Sequence, residues 1–96
     1  MQVLKALSDE TRYMMVKMLL DVDEEICICE FDQFFEQDAS VLYRNIKKLE
    51  DAEILETEKK GRKRIPKVKD PEAVKKLLEA VEELESEDLA GKYEEM

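Results

Sequence analysis

Residues 38–69 read DASVLYRNIKKLEDAEILETEKKGRKRIPKVK, and the fold turns on this stretch. Asp38 is a helix cap, and Leu42, Ile46 and Leu49 follow at i, i+4 and i+7, on one inward face of a helix over Ala39 to Ala52. The outer face then displays Ala39, Ser40, Tyr43, Arg44, Lys47 and Lys48. Beyond it, Ile54 to Lys59 and Arg62 to Val68 have strand character and meet across Lys60-Gly61, the pattern of a hairpin with a glycine turn. Pro66 has no N–H for a ladder, which predicts an edge strand and an irregular hairpin.

The tip of that hairpin is basic. Lys59, Lys60, Arg62, Lys63, Arg64, Lys67 and Lys69 fall within eleven residues without an acid, in a chain of formal charge -9. Residues 1–40 and 70–96 each hold three basic and ten acidic side chains, whereas 41–69 hold ten basic and five acidic. Screening over roughly 8 to 10 Å lets one face act almost independently of another, so the acidic total does not exclude a polyanion-binding face. A solvated, charge-balancing turn is the plain alternative for the run taken alone.

Upstream, Val3, Leu4 and Leu7 give a short apolar helical face ending at Ser8, which is expected to cap a second helix with Asp9 and Glu10 in its first turn. Met15, Val16, Leu19 and Leu20 form that helix's buried side, and Asp21 to Glu25 read as a loop. Ile26 to Glu36 begins with alternation and then spaces Phe31, Phe34 and Phe35 as a two-turn helix, with all three rings expected in the core. Two short helices joined tightly, the second basic outside, describe a helix-turn-helix, and the basic hairpin beside it becomes a wing. Downstream, Asp70-Pro71 starts a helix whose Val74, Leu77, Leu78, Val81 and Leu84 make a long apolar stripe.

Ninety-six residues make one domain with a modest core. Residues 1–90 are expected to form it, with 70–90 as a dimerisation helix and 91–96 as a disordered tail. The fold class is mainly α, an α+β winged helix of about five helices and a two-stranded wing. No histidine and only two glycines are present, with no glycine-rich phosphate loop, which argues against an enzyme. No signal-like segment and no apolar run near the ~18 residues of a membrane span occurs, so a cytoplasmic protein without membrane partners is expected. Cys27 and Cys29 are badly spaced for a structural disulfide, and reduced thiols are expected.

These residues resemble a known family. LKALSDETR (4–12), ICICE (26–30), SVLYRNIKKLEDAEIL (40–55) and Gly61-Arg62 are similar in order and spacing to the ArsR/SmtB winged-helix repressors. The resemblance covers about Val3 to Val68. It implies a homodimer that binds double-stranded operator DNA and releases it when a metal or metalloid binds. Ala39 to Ala52 would be the recognition helix, with Ser40, Tyr43 and Arg44 in the major groove and Lys47 and Lys48 on phosphates. Lys60, Arg62, Lys63 and Arg64 would form the wing tip, and Leu4, Leu7, Val74, Leu77, Leu78, Val81 and Leu84 the dimer interface. No resident cofactor is implied. Cys27 and Cys29 would be thiolate ligands for an effector such as As(III), Sb(III), Cd(II) or Pb(II). Side chains two apart share a side only in extended backbone, so both thiolates on one ion require a non-helical Ile26 to Cys29. The chain departs from the pattern at Asp32, where a third cysteine often stands, and the histidine site of zinc-sensing members is excluded. A thiol redox switch, a regulator with no effector, and a protein-binding winged helix are the alternatives.

Overall fold

The computed structural model describes the backbone of residues 2–95 and the side chains of residues 2–85. The tail expected at 91–96 lies outside the residues described in full. The order is α1 (Gln2–Leu7), α2 (Glu10–Asp21), a 3-10 helix (Ile28–Gln33), α3 (Ala39–Asp51), β1 (Leu55–Lys60), β2 (Lys63–Val68) and α4 (Pro71–Glu95). This is the expected winged-helix arrangement, mainly helical with one antiparallel hairpin.

The α1–α2 junction differs by one residue from the sequence reading. Asp9, not Ser8, caps α2, accepting from the Arg12 N–H at 3.1 Å. Ser8 instead donates to the Lys5 carbonyl at 2.7 Å and closes α1. An N-cap oxygen reaches the N–H two or three residues on; Asp9 meets the Arg12 N–H at the longer offset, while the Ser8 hydroxyl is engaged with the Lys5 carbonyl behind it. Met15 and Val16 of α2 are fully buried, and Leu19 and Leu20 pack on the same cluster.

The Ile28–Gln33 segment winds as a 3-10 helix rather than an α-helix. Its last turn widens, because the Phe35 N–H also reaches the Phe31 carbonyl four residues back at 3.2 Å. Phe35 therefore returns over Phe31, with ring centroids 6.1 Å apart. Phe34 is left 56% exposed, so the expectation of three core rings holds only for Phe31 and, in part, Phe35.

Leu42, Ile46 and Leu49 of α3 are buried as the spacing required. Asp38 takes the N-cap position with extended backbone but makes no side-chain cap bond. The far end closes with Glu53 at φ +62°, its N–H on the Glu50 carbonyl and the Ile54 N–H on the Leu49 carbonyl. That pair of bonds is a Schellman closure carried by a non-glycine residue. It reverses the chain and sends Ile54 and Leu55 straight into the core.

The hairpin is regular, against the expectation of an irregular wing. All six positions pair, from Leu55 with Val68 to Lys60 with Lys63, across the two-residue loop Gly61-Arg62. Gly61 has φ +63° and a Cβ there would meet nothing within 4 Å, so backbone conformation alone demands glycine. In a two-stranded sheet both strands are edges, so Pro66 can direct its missing N–H outward without breaking the pairing. Asp70 then caps α4, accepting from the Ala73 N–H at 3.2 Å. Leu78 buries into the core and Lys17 of α2 meets Glu82 at 3.1 Å, which docks α4 on α2.

Candidate nucleic-acid interface

The helix α3 presents one continuous polar surface. Ala39, Ser40, Tyr43, Arg44, Lys47 and Lys48 are all exposed, opposite the buried Leu42, Ile46 and Leu49. Lys47 is tied to Asp51 one turn on, at 3.3 Å. Between α3 and the wing lies a groove lined by Ile28, Tyr43, Lys47, Glu50, Thr57, Lys59 and Arg64. The Thr57 hydroxyl donates to the Glu50 carboxylate and clips the hairpin to the helix. Helix face and wing thus form a single concave surface.

Not every cation of the basic run is available to a ligand. Residues paired across an antiparallel hairpin share a face, so Lys59 and Arg64 belong to the side lining the groove. Lys60 and Lys67 fall on the other side, where Lys60 Nζ lies 2.8 and 2.6 Å from the two oxygens of Glu25. Lys67 bridges Glu25 at 3.2 Å and Glu58 at 2.7 Å, and Lys69 stands 3.7 Å from Glu53. The bonds from Lys60 and then Lys67 hold the Glu25 carboxyl below its usual range. Among the described residues, Lys59, Arg62, Lys63 and Arg64 have no carboxylate in ion-pair range. Of the four wing-tip candidates, Lys60 is therefore the one already occupied.

Asn45 and Arg12 were missed by the sequence reading of the site. Asn45 sits on the buried side of α3 at 9% exposure, where its Oδ1 accepts from Arg12 Nη1 at 2.9 Å. Arg12 Nε also donates to the Ala6 carbonyl at 2.7 Å. One guanidinium thus ties α1, α2 and α3 together, and the planar fork explains why arginine suits the position. The only sequence signal was a polar residue between Leu42 and Leu49 on an apolar face.

Cys27 and Cys29 are brought together. Cys27 is the extended N-cap of the 3-10 helix, with φ -71° and ψ 144°, and Cys29 follows one residue into it. The Cα atoms are 5.1 Å apart and the two sulfurs are in contact, so the pair converges where separate thiols were expected. The reason is the extended Cys27, which turns its sulfur to the same side as Cys29. Cys27 is buried and Cys29 exposed, and Glu30 accepts from the Cys27 N–H at 3.2 Å. Among the described residues no three His, Cys, Asp or Glu side chains converge as a metal site.

No family model matches the chain. The ArsR protein of Halobacterium salinarum, which bears the name of an arsenical resistance operon repressor, is 34% identical over 60 residues. That match covers 62% of this chain, which spans about half of the relative, 46% of its length. The homodimeric winged helix-turn-helix DNA-binding domain of a Mycobacterium bovis protein superposes with a TM-score of 0.80 at 19% identity, covering 94% of this chain and 81% of that one. A crystal structure of an ArsR family transcriptional regulator gives 0.66 at 26% identity, over 88% and 93% of the two chains. The fold is a winged helix-turn-helix of the ArsR/SmtB type.

The expected dimer residues divide. Leu78 is 3% exposed within the single chain, and Val74 is half-buried against the same core. Leu4 is 49% and Leu84 65% exposed. Leu4, Leu7, Leu77, Leu78 and Val81, with Tyr13 and Met14, line a mainly apolar groove of about 510 Å³ between α1, α2 and α4, to which Ser8, Glu10 and Glu85 also contribute. Burial pushes the Tyr13 phenol up, as does nearby Glu82, and its oxygen lacks a hydrogen-bond partner among the described residues. Among the described residues no helix is long and apolar enough to cross a membrane.

Removing either end of the Arg12–Asn45 bond leaves the other, at the edge of the core, without that partner. Arg12→Ala and Asn45→Ala are each expected to cost about 1 to 3 kcal/mol in urea denaturation, with the double variant costing clearly less than the sum. Additive losses would show that the two side chains do not act as one strut.

Proposed function

We propose that this protein is a DNA-binding transcriptional regulator that acts as a homodimer. What carries the reading is the exposed face of α3 beside Lys59 and Arg64 on the groove side of the hairpin and Arg62 and Lys63 at its tip, four cations without a carboxylate partner among the described residues. Ser40, Tyr43 and Arg44 offer hydroxyls and a guanidinium to base edges of a major groove, while Ala39 allows close approach of the helix start. Lys47, Lys48, Lys59 and the wing tip neutralise phosphates on either side. Similarity to the halobacterial arsenical resistance operon repressor and to the Mycobacterium DNA-binding domain supports the same reading.

Salt dependence tests it directly. Alanine at Arg62, Lys63 and Arg64 should weaken duplex binding and lower the log–log salt slope, by about 0.9 for each phosphate no longer neutralised. Unchanged affinity and slope in the triple variant would overturn the wing assignment.

The dimer reading rests on the apolar groove and on Leu4 and Leu84, which a second copy would cover. Leu4→Glu together with Val81→Glu should convert a sedimenting dimer into a folded monomer. A dimer that survives this change would place the interface elsewhere.

The finer reading concerns the effector. Convergence of the Cys27 and Cys29 sulfurs supports two thiolates acting as one unit, which suits a thiophilic ion. The pair supplies only two ligands, and Asp32 replaces the third cysteine, so further donors have to come from solvent or a second chain. The same sulfur pair favours a second reading, oxidation of the dithiol to a disulfide. In an operator-release assay on reduced protein, As(III) or Cd(II) should lower binding and develop thiolate-to-metal absorption, and the Cys27→Ser, Cys29→Ser variant should lose both. Release by a hydroperoxide, reversed by dithiothreitol, without any response to either ion would favour the redox reading instead.

A further inference from the structure

The cluster around Glu25 contains two carboxylates and two ammonium groups. Glu25 Oε2 lies 2.6 Å from Lys60 and 3.2 Å from Lys67, and Lys67 also reaches Glu58 at 2.7 Å. The hairpin does not depend on Lys60 for its position. Six residue pairs form its ladder, Leu55, Ile65 and Pro66 are buried, and Thr57 is clipped to Glu50. If Lys60 leaves, Lys67 remains as counter-ion to both Glu25 and Glu58. The side chains of Lys60 and Glu25 are 48% and 42% exposed, and ion pairs this wet are weak enough for a phosphate to replace one partner.

We propose that Glu25 is an affinity-setting residue for DNA binding, an internal stand-in for a backbone phosphate that holds Lys60 in the free protein and yields it to DNA. The inference rests on the DNA-binding reading given above. It adds that the wing's charge is adjustable, since Lys60 at the edge of the Gly61-Arg62 loop is withheld by a carboxylate carried on the acidic segment before Ile26 and Cys27. The wing tip presents Arg62 and Lys63 at once and Lys60 only after exchange. Glu25 thereby lowers affinity for any duplex, without regard to sequence, because phosphates carry no sequence information.

The test uses the full chain and a fluorescent mixed-sequence DNA duplex, with anisotropy read from about 50 to 200 mM salt. Glu25→Gln should tighten binding several-fold, with the log–log slope little changed because Lys60 meets a phosphate in both complexes. Glu24→Gln removes the same charge one residue away and should tighten it far less. In the Glu25→Gln background, Lys60→Ala should remove the added affinity, whereas in the unaltered protein the same change should cost less. Equal effects of Glu25→Gln and Glu24→Gln would reduce Glu25 to general repulsion and overturn the proposal, as would Lys60→Ala costing the same affinity in both backgrounds. Weaker binding by Glu25→Gln, with its thermal unfolding unchanged, would show that the ion pair instead supports the wing, and would overturn it too. Failure of the DNA-binding reading looks different: neither the unaltered protein nor any variant would show salt-dependent binding that the Arg62, Lys63 and Arg64 alanines weaken.

Discussion

Arg12 Nη1 donates to Asn45 Oδ1 across 2.9 Å at the edge of the core, and Arg12 Nε holds the Ala6 carbonyl at 2.7 Å. The bond fixes the rotation of α3 about its own axis, a constraint that Leu42, Ile46 and Leu49 alone would impose more loosely, since apolar contacts are non-directional. Once that rotation is set, the outer face of α3 and the groove beside the wing follow. The Schellman turn at Glu53 then launches β1 directly from the end of the same helix. Helix and wing therefore take their mutual position from one short connection and one side-chain clip, Thr57 on Glu50.

Charge is partitioned across the two sides of a thin hairpin. The groove side carries Lys59 and Arg64, while the far side neutralises Lys60 and Lys67 against Glu25 and Glu58. A two-stranded sheet makes this possible because alternate residues point to opposite faces over a separation of one backbone layer. The acidic segment before Ile26 thus has a local role in addition to its contribution to net charge. It sets how many cations the wing can offer.

Cys27 and Cys29 lie between the helix-turn-helix and that acidic segment. The buried Ile26, Cys27 and Ile28 anchor the segment in the core, and Glu25 at its edge touches the wing. A chemical change at the sulfur pair therefore starts at a joint between α2, the wing and the 3-10 helix that leads to α3. The exposed Cys29 gives reagents access, and the buried Cys27 gives any displacement something to push against.

The elements and their order were legible along the chain because the signals for them are local. The i, i+4, i+7 spacing of α3, the Gly61 turn, the Asp70-Pro71 start and the basic face next to a basic hairpin all act within a few residues, and each appears in the structure. Local signals also erred by small steps, choosing Ser8 over Asp9 as a cap and placing Phe34 inside, where one residue of offset or a widened turn decides the outcome. Three outcomes came from the fold alone: which cations are spent on Glu25, how Arg12 finds Asn45, and that Leu78 belongs to the chain's own core. They depend on partners 33 to 42 residues apart, or on how α4 lies across α2. Charge and hydrophobicity can be counted along a chain, but pairing requires geometry that only the folded backbone supplies.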